Sequence, residues 1–174
     1  LGDVYKRQAV PCVENKNNVT LVGTHLENDL IKKIQLDQNI HPVLKTKLPK
    51  SLKIEKFDKL DTILKDDIDV IVAGISSIGI EWFVEQISKN YKNNLPIVLL
   101  TKGLSIIDNE LTTLSDKIKK LLNKKGNKKI NISAIKGPCL AAGLANKMRT
   151  GTVIANPDIK EAQYLKKIIS TNYY

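Results

Sequence analysis

The sequence predicts an α/β domain built on a doubly wound, mostly parallel sheet, and three observations point there. From residue 9 onward, short apolar runs alternate with stretches of helical periodicity. The run Asp69-Val70-Ile71-Val72-Ala73-Gly74 is apolar on both faces, as a strand covered by helices on two sides must be. Two short strings, Thr101-Lys102-Gly103-Leu104 and Gly137-Pro138-Cys139-Leu140-Ala141, each follow an apolar run. An open parallel sheet keeps its ligand there, beyond the carboxyl ends of its strands.

The elements follow in order. Ala9-Val10-Pro11 to Asn18 reads as the tail of a helix, and Val19-Thr20-Leu21-Val22 as a strand ending at Gly23. Leu26, Leu30, Ile31 and Ile34 stand at helical spacing. A polar stretch with His41-Pro42 and Leu48-Pro49 breaks the pattern, because proline ends helices. Leu52-Lys53-Ile54 is a weaker strand, and Phe57, Leu60, Ile63 and Leu64 mark a short helix. After the strand at 69–74 and a Ser76-Ser77 turn, Ile80, Phe83, Val84 and Ile87 lie on one helix face. The strand 96–100 is followed by a helix lined by Leu111, Leu114, Ile118, Leu121 and Leu122, which Gly126-Asn127 ends. A strand at 130–135 leads to a helix with Leu140, Leu144 and Met148, flanked by Ala141 and Ala145. Thr152-Val153-Ile154-Ala155 is a further strand, and Ile159, Ala162, Leu165 and Ile169 line the last helix.

At 174 residues, 42% hydrophobic and 26% charged, the composition fits one domain with a core of its own. No apolar run approaches the roughly 18 to 20 residues of a membrane helix, and no secretory leader is evident. Cys12 and Cys139 lie far apart, and His25 and His41 do too, so neither pair has metal-ligand spacing. The expectation is a cytoplasmic protein without a metal. The net charge of +10 invites a nucleic-acid partner, but the details oppose one. Of the 28 basic residues only Arg7 and Arg149 are arginine, and no aromatics interleave the densest lysine runs at 117–120 and 124–129. Residues 1–8, Leu-Gly-Asp-Val-Tyr-Lys-Arg-Gln, do not continue into the pattern that follows and are expected to be non-native.

Two positions carry chemistry. Lys102 sits at a strand's carboxyl end, where Gly103 lets the backbone bend while the ammonium turns into the cleft. Gly137-Pro138 fits a helix start, whose free amides face an anion. A dinucleotide-binding domain should also open with a strand and a Gly-x-Gly-x-x-Gly loop. That motif is absent, and the expected fold therefore lacks its first strand and Gly-rich loop.

From about Ala9 to the end, the chain resembles the N-terminal domain of the NAD(P)-dependent glycerol-3-phosphate dehydrogenases. The matching stretches are Val19 to Gly23 before Thr24, His41-Pro42 to Leu48-Pro49, Asp69 to Ser77, 101–104 and 137–141. The resemblance implies a Rossmann-type domain at 9–174, with a separate helical substrate domain absent, and a fragment without turnover by itself. It implies hydride transfer between NAD(P)H and dihydroxyacetone phosphate or sn-glycerol 3-phosphate, supplying glycerol 3-phosphate for phospholipid synthesis. By the same resemblance Lys102 is catalytic and touches substrate and cofactor, Gly137 and Cys139 bind substrate, and Thr24, His25, Gly74, Ser76 and Ala141 bind cofactor. Where the family usually carries Ser, Thr or Asn, this chain has Cys139. The turn after the first strand, Thr24-His25-Leu26-Glu27, has no Arg to hold a 2′-phosphate, which leans toward NAD over NADP. A homodimer formed through the helical domain is also expected. The alternatives are a related dehydrogenase acting on another hydroxy acid or sugar phosphate, or a non-catalytic dinucleotide-binding module.

Overall fold

A computed structural model describes residues 8–37, 39–42, 46–138, 143–144 and 146–174. Its centre is a four-stranded sheet made of β5 (Ile71–Ala73), β6 (Pro96–Leu99), β9 (Asn131–Lys136) and β10 (Val153–Ala155), in the order β10-β9-β6-β5. β5, β6 and β9 run parallel, with Ile71 opposite Ile97 and Ile97 opposite Ile132. β10 runs antiparallel to β9, with Ile154 opposite Ile135. A second, two-stranded parallel sheet joins β1 (Thr20–Val22) to β4 (Lys53–Glu55). The expected doubly wound, mostly parallel architecture is therefore present.

Strand alternation explains why helices cover both faces of the larger sheet. Along β6, Ile97 and Leu99 point into one buried cluster, while Val98 and Leu100, at the strand's end, point into another. The first cluster is closed by α3 (Leu60–Lys65), α4 (Ile80–Ser88) and α5 (Leu114–Lys124), which insert Leu64, Phe83, Ile87, Ile118 and Leu122. The second is closed by α6 (Ile159–Ile169) through Leu165 and Ile169, with Cys12 of α1 (Ala9–Glu14) against it. Burial pushes the Cys12 thiol up to about 11, so it packs as a neutral group. The β1/β4 pair has its own cluster of Ile31 and Ile34 from α2 (Asn28–Leu36), with Leu48, Leu52 and Ile54. Val10 and Val13 on another side of α1 pack there, so α1 bridges the two bodies.

The ends of the described chain are tied together. The Asn15 amide donates to the carbonyls of Ile168, at 3.0 Å, and Ser170, at 2.6 Å, and the Asn17 amide donates to Ile168 at 3.0 Å. Tyr173 donates its hydroxyl to Glu14 at 2.7 Å, and Lys147 pairs with the same carboxylate at 2.8 Å. At the sheet's edge the Asn156 amide donates to the Ser133 hydroxyl at 2.7 Å, giving that buried polar group a partner.

Four expectations need correction. The run at 69–74 is not covered on both faces: it forms the edge strand β5, with Ile71 and Ala73 buried on one face and Val72 on the other 48% exposed. Leu111 does not line a helix: it belongs to an antiparallel hairpin of β7 (Leu104–Ile107) and β8 (Glu110–Thr113), where it faces Ile106 and is exposed. Asp108 and Asn109 both take positive φ, 52° and 64°, the conformation of a tight two-residue hairpin turn. Thr113 then starts α5 by accepting from the Asp116 amide at 3.1 Å. The polar stretch holds a second small hairpin, β2 (Ile40–His41) with β3 (Thr46–Lys47). Met148 lies beyond the helical turn at Gly143 and Leu144 and is exposed, its amide donating back to Gly143 at 2.9 Å. Leu140, Ala141 and Ala145 lie outside the described residues.

Candidate functional site

Because β5, β6 and β9 are parallel, their carboxyl ends emerge together, and the loops that leave them are laced to one another. Thr101 is buried and donates its hydroxyl to the Ile75 carbonyl at 2.6 Å, tying the β6 loop to the β5 loop. Lys102, exposed on the next residue, donates its ammonium to the Gly137 carbonyl at 2.7 Å and so ties the β6 loop to the β9 loop. Lys136 returns the connection by donating to the Thr101 carbonyl. The loops that leave β5, β6 and β9 therefore meet at one rim.

Gly137 is required here on two counts. Its φ is +151°, and a Cβ would stand 3.0 Å from both the Gly151 carbonyl oxygen and Thr152 Cα. Any side chain would push the β9 loop off the strand entering β10 and displace the carbonyl that holds Lys102. Gly74 follows β5 partly buried, and Ser76 is exposed with extended backbone just before the 3₁₀ turn Ser77–Gly79. Cys139 and Ala141 lie outside the described residues.

Thr24 and His25 occupy the turn after β1, at the carboxyl end of the other sheet. The Thr24 amide and hydroxyl both donate to Glu27 Oε2, each at 3.0 Å, which fixes the turn and places a carboxylate in it. Gly23 is forced by proximity, since a Cβ there would meet Ile31 Cγ1 at 2.7 Å. His25 is exposed and packs on Trp82 and Phe57 at ring separations of 5.1 and 6.0 Å, with 5.4 Å between Phe57 and Trp82. The triad joins the β1 turn, the turn after β4 and helix α4. It therefore fixes one sheet's loop end relative to the other's.

Two features of this rim were missed from sequence. Lys136 ends an apolar strand directly before Gly137-Pro138, a position that could have drawn attention to it. Burial first, and then repulsion from Lys102, pull its pKa below the ordinary lysine value. The aromatic triad gave no such signal, because its members come from three separated segments. Trp82 packs partly buried against the main cluster and contacts the rim residue His25.

Residues 8–162 match the sequence pattern of the NAD-dependent glycerol-3-phosphate dehydrogenase N-terminus. The NADP(+)-dependent glycerol-3-phosphate dehydrogenase of Archaeoglobus fulgidus is 30% identical over 166 residues, 95% of this chain and 48% of that protein. A glycerol-3-phosphate dehydrogenase [NAD(P)+] of Mesoplasma florum is 31% identical over 110 residues, 63% of this chain and 32% of its own length. Among solved structures, the glycerol-3-phosphate dehydrogenase of Coxiella burnetii superposes with a TM-score of 0.77 at 15% identity, over 98% of this chain and 49% of that one. The chain spans about half the length, or less, of the curated relatives it matches. With the pattern matched over most of its residues, the chain belongs to the NAD-dependent glycerol-3-phosphate dehydrogenase family and corresponds to its N-terminal domain.

Proposed function

We propose that this chain is the dinucleotide-binding half of an enzyme that interconverts dihydroxyacetone phosphate and sn-glycerol 3-phosphate. The observation that carries the proposal is the Lys102 ammonium, aimed across the converging strand ends and held on the Gly137 carbonyl. A nicotinamide cofactor supplies the hydride. The rim residues fit such a group: a turn at Thr24 and His25 backed by tilted aromatic contacts at one end, and the loop of Gly74 and Ser76, tied to the Lys102 loop, at the other. In this reading Thr24, His25, Gly74, Ser76 and Ala141 line the cofactor, while Gly137 and Cys139 contact the substrate. Lys102 touches both and places positive charge at the oxygen that gains or loses a proton.

The Glu27 carboxylate in the turn after β1 disfavours a 2′-phosphate and supports NAD, against the NADP(+) of the archaeal relative. Residues 9–174 supply this half, and the family's helical domain supplies the remaining substrate contacts and a homodimer interface. Among the described residues no helix is long and apolar enough to cross a membrane. We place the enzyme in the cytoplasm, without a nucleic-acid partner, and assign it to glycerol 3-phosphate supply for phospholipids.

The test is Lys102→Ala against Lys119→Ala, on the exposed face of α5, in the full-length dehydrogenase. Removing a preorganised charge at a reacting oxygen costs on the order of 10² to 10³ in turnover. Lys102→Ala should lose that much with its fold intact, and Lys119→Ala should change little. Equal small losses in the two variants would remove Lys102 from the chemistry.

A further inference from the structure

β6 and β9 pair in parallel with Leu99 opposite Ala134, and the same register carried two residues further sets Lys136 beside Thr101. From there Lys136 donates its ammonium to the Thr101 carbonyl. A lysine at a sheet's rim ordinarily keeps its charged head in water. Lys136 instead spends its head on backbone while partly buried, against desolvation and repulsion from Lys102. Among the described residues no carboxylate pairs with it, although lysines elsewhere on the surface pair with Glu81, Asp108 and Glu14. The fold thus maintains this bond at a cost, and what the bond holds is one peptide.

That peptide is the one from which Lys102 leaves β6. The Thr101 carbonyl and the Lys102 amide share a plane, so a bond on the carbonyl fixes the direction in which Lys102 starts. The Thr101 hydroxyl, donated to the Ile75 carbonyl at 2.6 Å, holds the same residue from the β5 side. After Lys102 comes Gly103 at φ +125°, where the missing side chain makes that flank of the loop the freer one. We propose that Lys136 is a positioning residue for Lys102: it holds the Thr101–Lys102 peptide and so aims the Lys102 ammonium, touching neither substrate nor cofactor itself. The inference rests on the placement of Lys102 at the reacting oxygen. Kinetics and backbone dynamics test the two readings separately.

The experiment is a double-mutant cycle in the full-length dehydrogenase, with Lys136→Met made alone and on top of Lys102→Ala. A misplacement of about 1 Å can cost on the order of 10² in rate, and losing one of the two ties on Thr101 should lower kcat about tenfold. The KM for dihydroxyacetone phosphate should stay within about twofold, as when an interaction of the transition state alone is weakened. On Lys102→Ala the same substitution should change kcat by less than about twofold, because no ammonium is left to aim. Lys136→Arg, which keeps a donor within reach of the carbonyl, should recover most of the loss. Amide order parameters should fall at 101–103 in Lys136→Met while those of Ile97 to Leu99 stay high. Equal losses in both backgrounds overturn the proposal, as does a folded Lys136→Met with unchanged kcat or unchanged order parameters at 101–103. Where Lys136→Met does not fold, the wild type decides. Its Lys136 ammonium protons should exchange slowly enough to be seen by NMR, unlike those of the exposed Lys119, and their absence overturns the proposal. If Lys102→Ala keeps full turnover, the reading of Lys102 falls, while the order parameters still decide whether Lys136 holds the loop.

Discussion

The four-stranded sheet and the β1/β4 pair reach comparable regularity with very different support. Fourteen buried side chains among the described residues pack on one face of the large sheet, and a further cluster covers its other face. The β1/β4 pair leans on five, and its strands are three residues long. Its position relative to the large sheet depends on α1 and on the contact of His25 and Phe57 with Trp82. The lysine rim thus stands on the rigid body, and the turn at Thr24 and His25 stands on the lighter one. In the proposed cofactor site, which spans both, the large sheet holds the end at Lys102 and a few aromatic contacts hold the end at Thr24 and His25.

The sharpest way to break this comparison is to cut equal volumes from each core. Ile97 and Ile34 are both fully buried. Truncating a buried Ile to Ala costs roughly 2 to 5 kcal/mol, depending on how far the site collapses. Ile97→Ala should fall in the upper half of that range by denaturant unfolding, and Ile34→Ala in the lower half. An Ile34→Ala cost equal to or above that of Ile97→Ala would show that the small cluster is no weaker. Next in size is Trp82→Ala. Two aromatic pairs at about 0.5 to 1.5 kcal/mol each give a loss of roughly 1 to 3 kcal/mol. Amide exchange should accelerate at Gly23 to Glu27 while β6 stays protected. Uniform acceleration across both sheets would mean that the triad does not couple them.

The smallest expected effect lies at the tie between α1 and the chain end. Burial pushes Glu14 up, but hydrogen bonds from Lys147 and Tyr173 outweigh it and hold the carboxyl below its ordinary 4.5. A lowered folded pKa gives stability that is present above the unfolded value and lost as pH falls through the folded one. Glu14→Gln should therefore lower Tm at pH 6 and converge with the wild type toward pH 3. A gap that persists unchanged in acid would exclude the ionised carboxylate as its source.

Much of the rigid body was legible in the sequence because its signals are local. The continuous apolar run at 69–74 and the spacing of Ile80, Phe83, Val84 and Ile87 each fix an element without reference to the rest. The 104–113 hairpin was misread because Leu111 falls at helical spacing from Leu114 and Ile118. The Asp108-Asn109 turn was the competing signal, and strand pairing won. At the site, Lys102 beside Gly103 was legible from its place at a strand end. The partnership of Lys136 with Thr101 joins residues 35 apart in sequence through the parallel pairing of β6 and β9, and no periodicity encodes it.

The tie between α1 and α6 encloses almost the whole described chain. Its Asn15 and Asn17 bonds span sequence separations of 151 to 155 residues, whereas the Asp108-Asn109 hairpin closes over two. Each doubling of a loop adds only about 0.6 kcal/mol of closure entropy, so the tie is tolerable at equilibrium. In time the difference is large, because contacts of such long range form only after the chain between them has been drawn in. The tie itself is therefore among the last contacts to form, because it waits for the final helix to arrive.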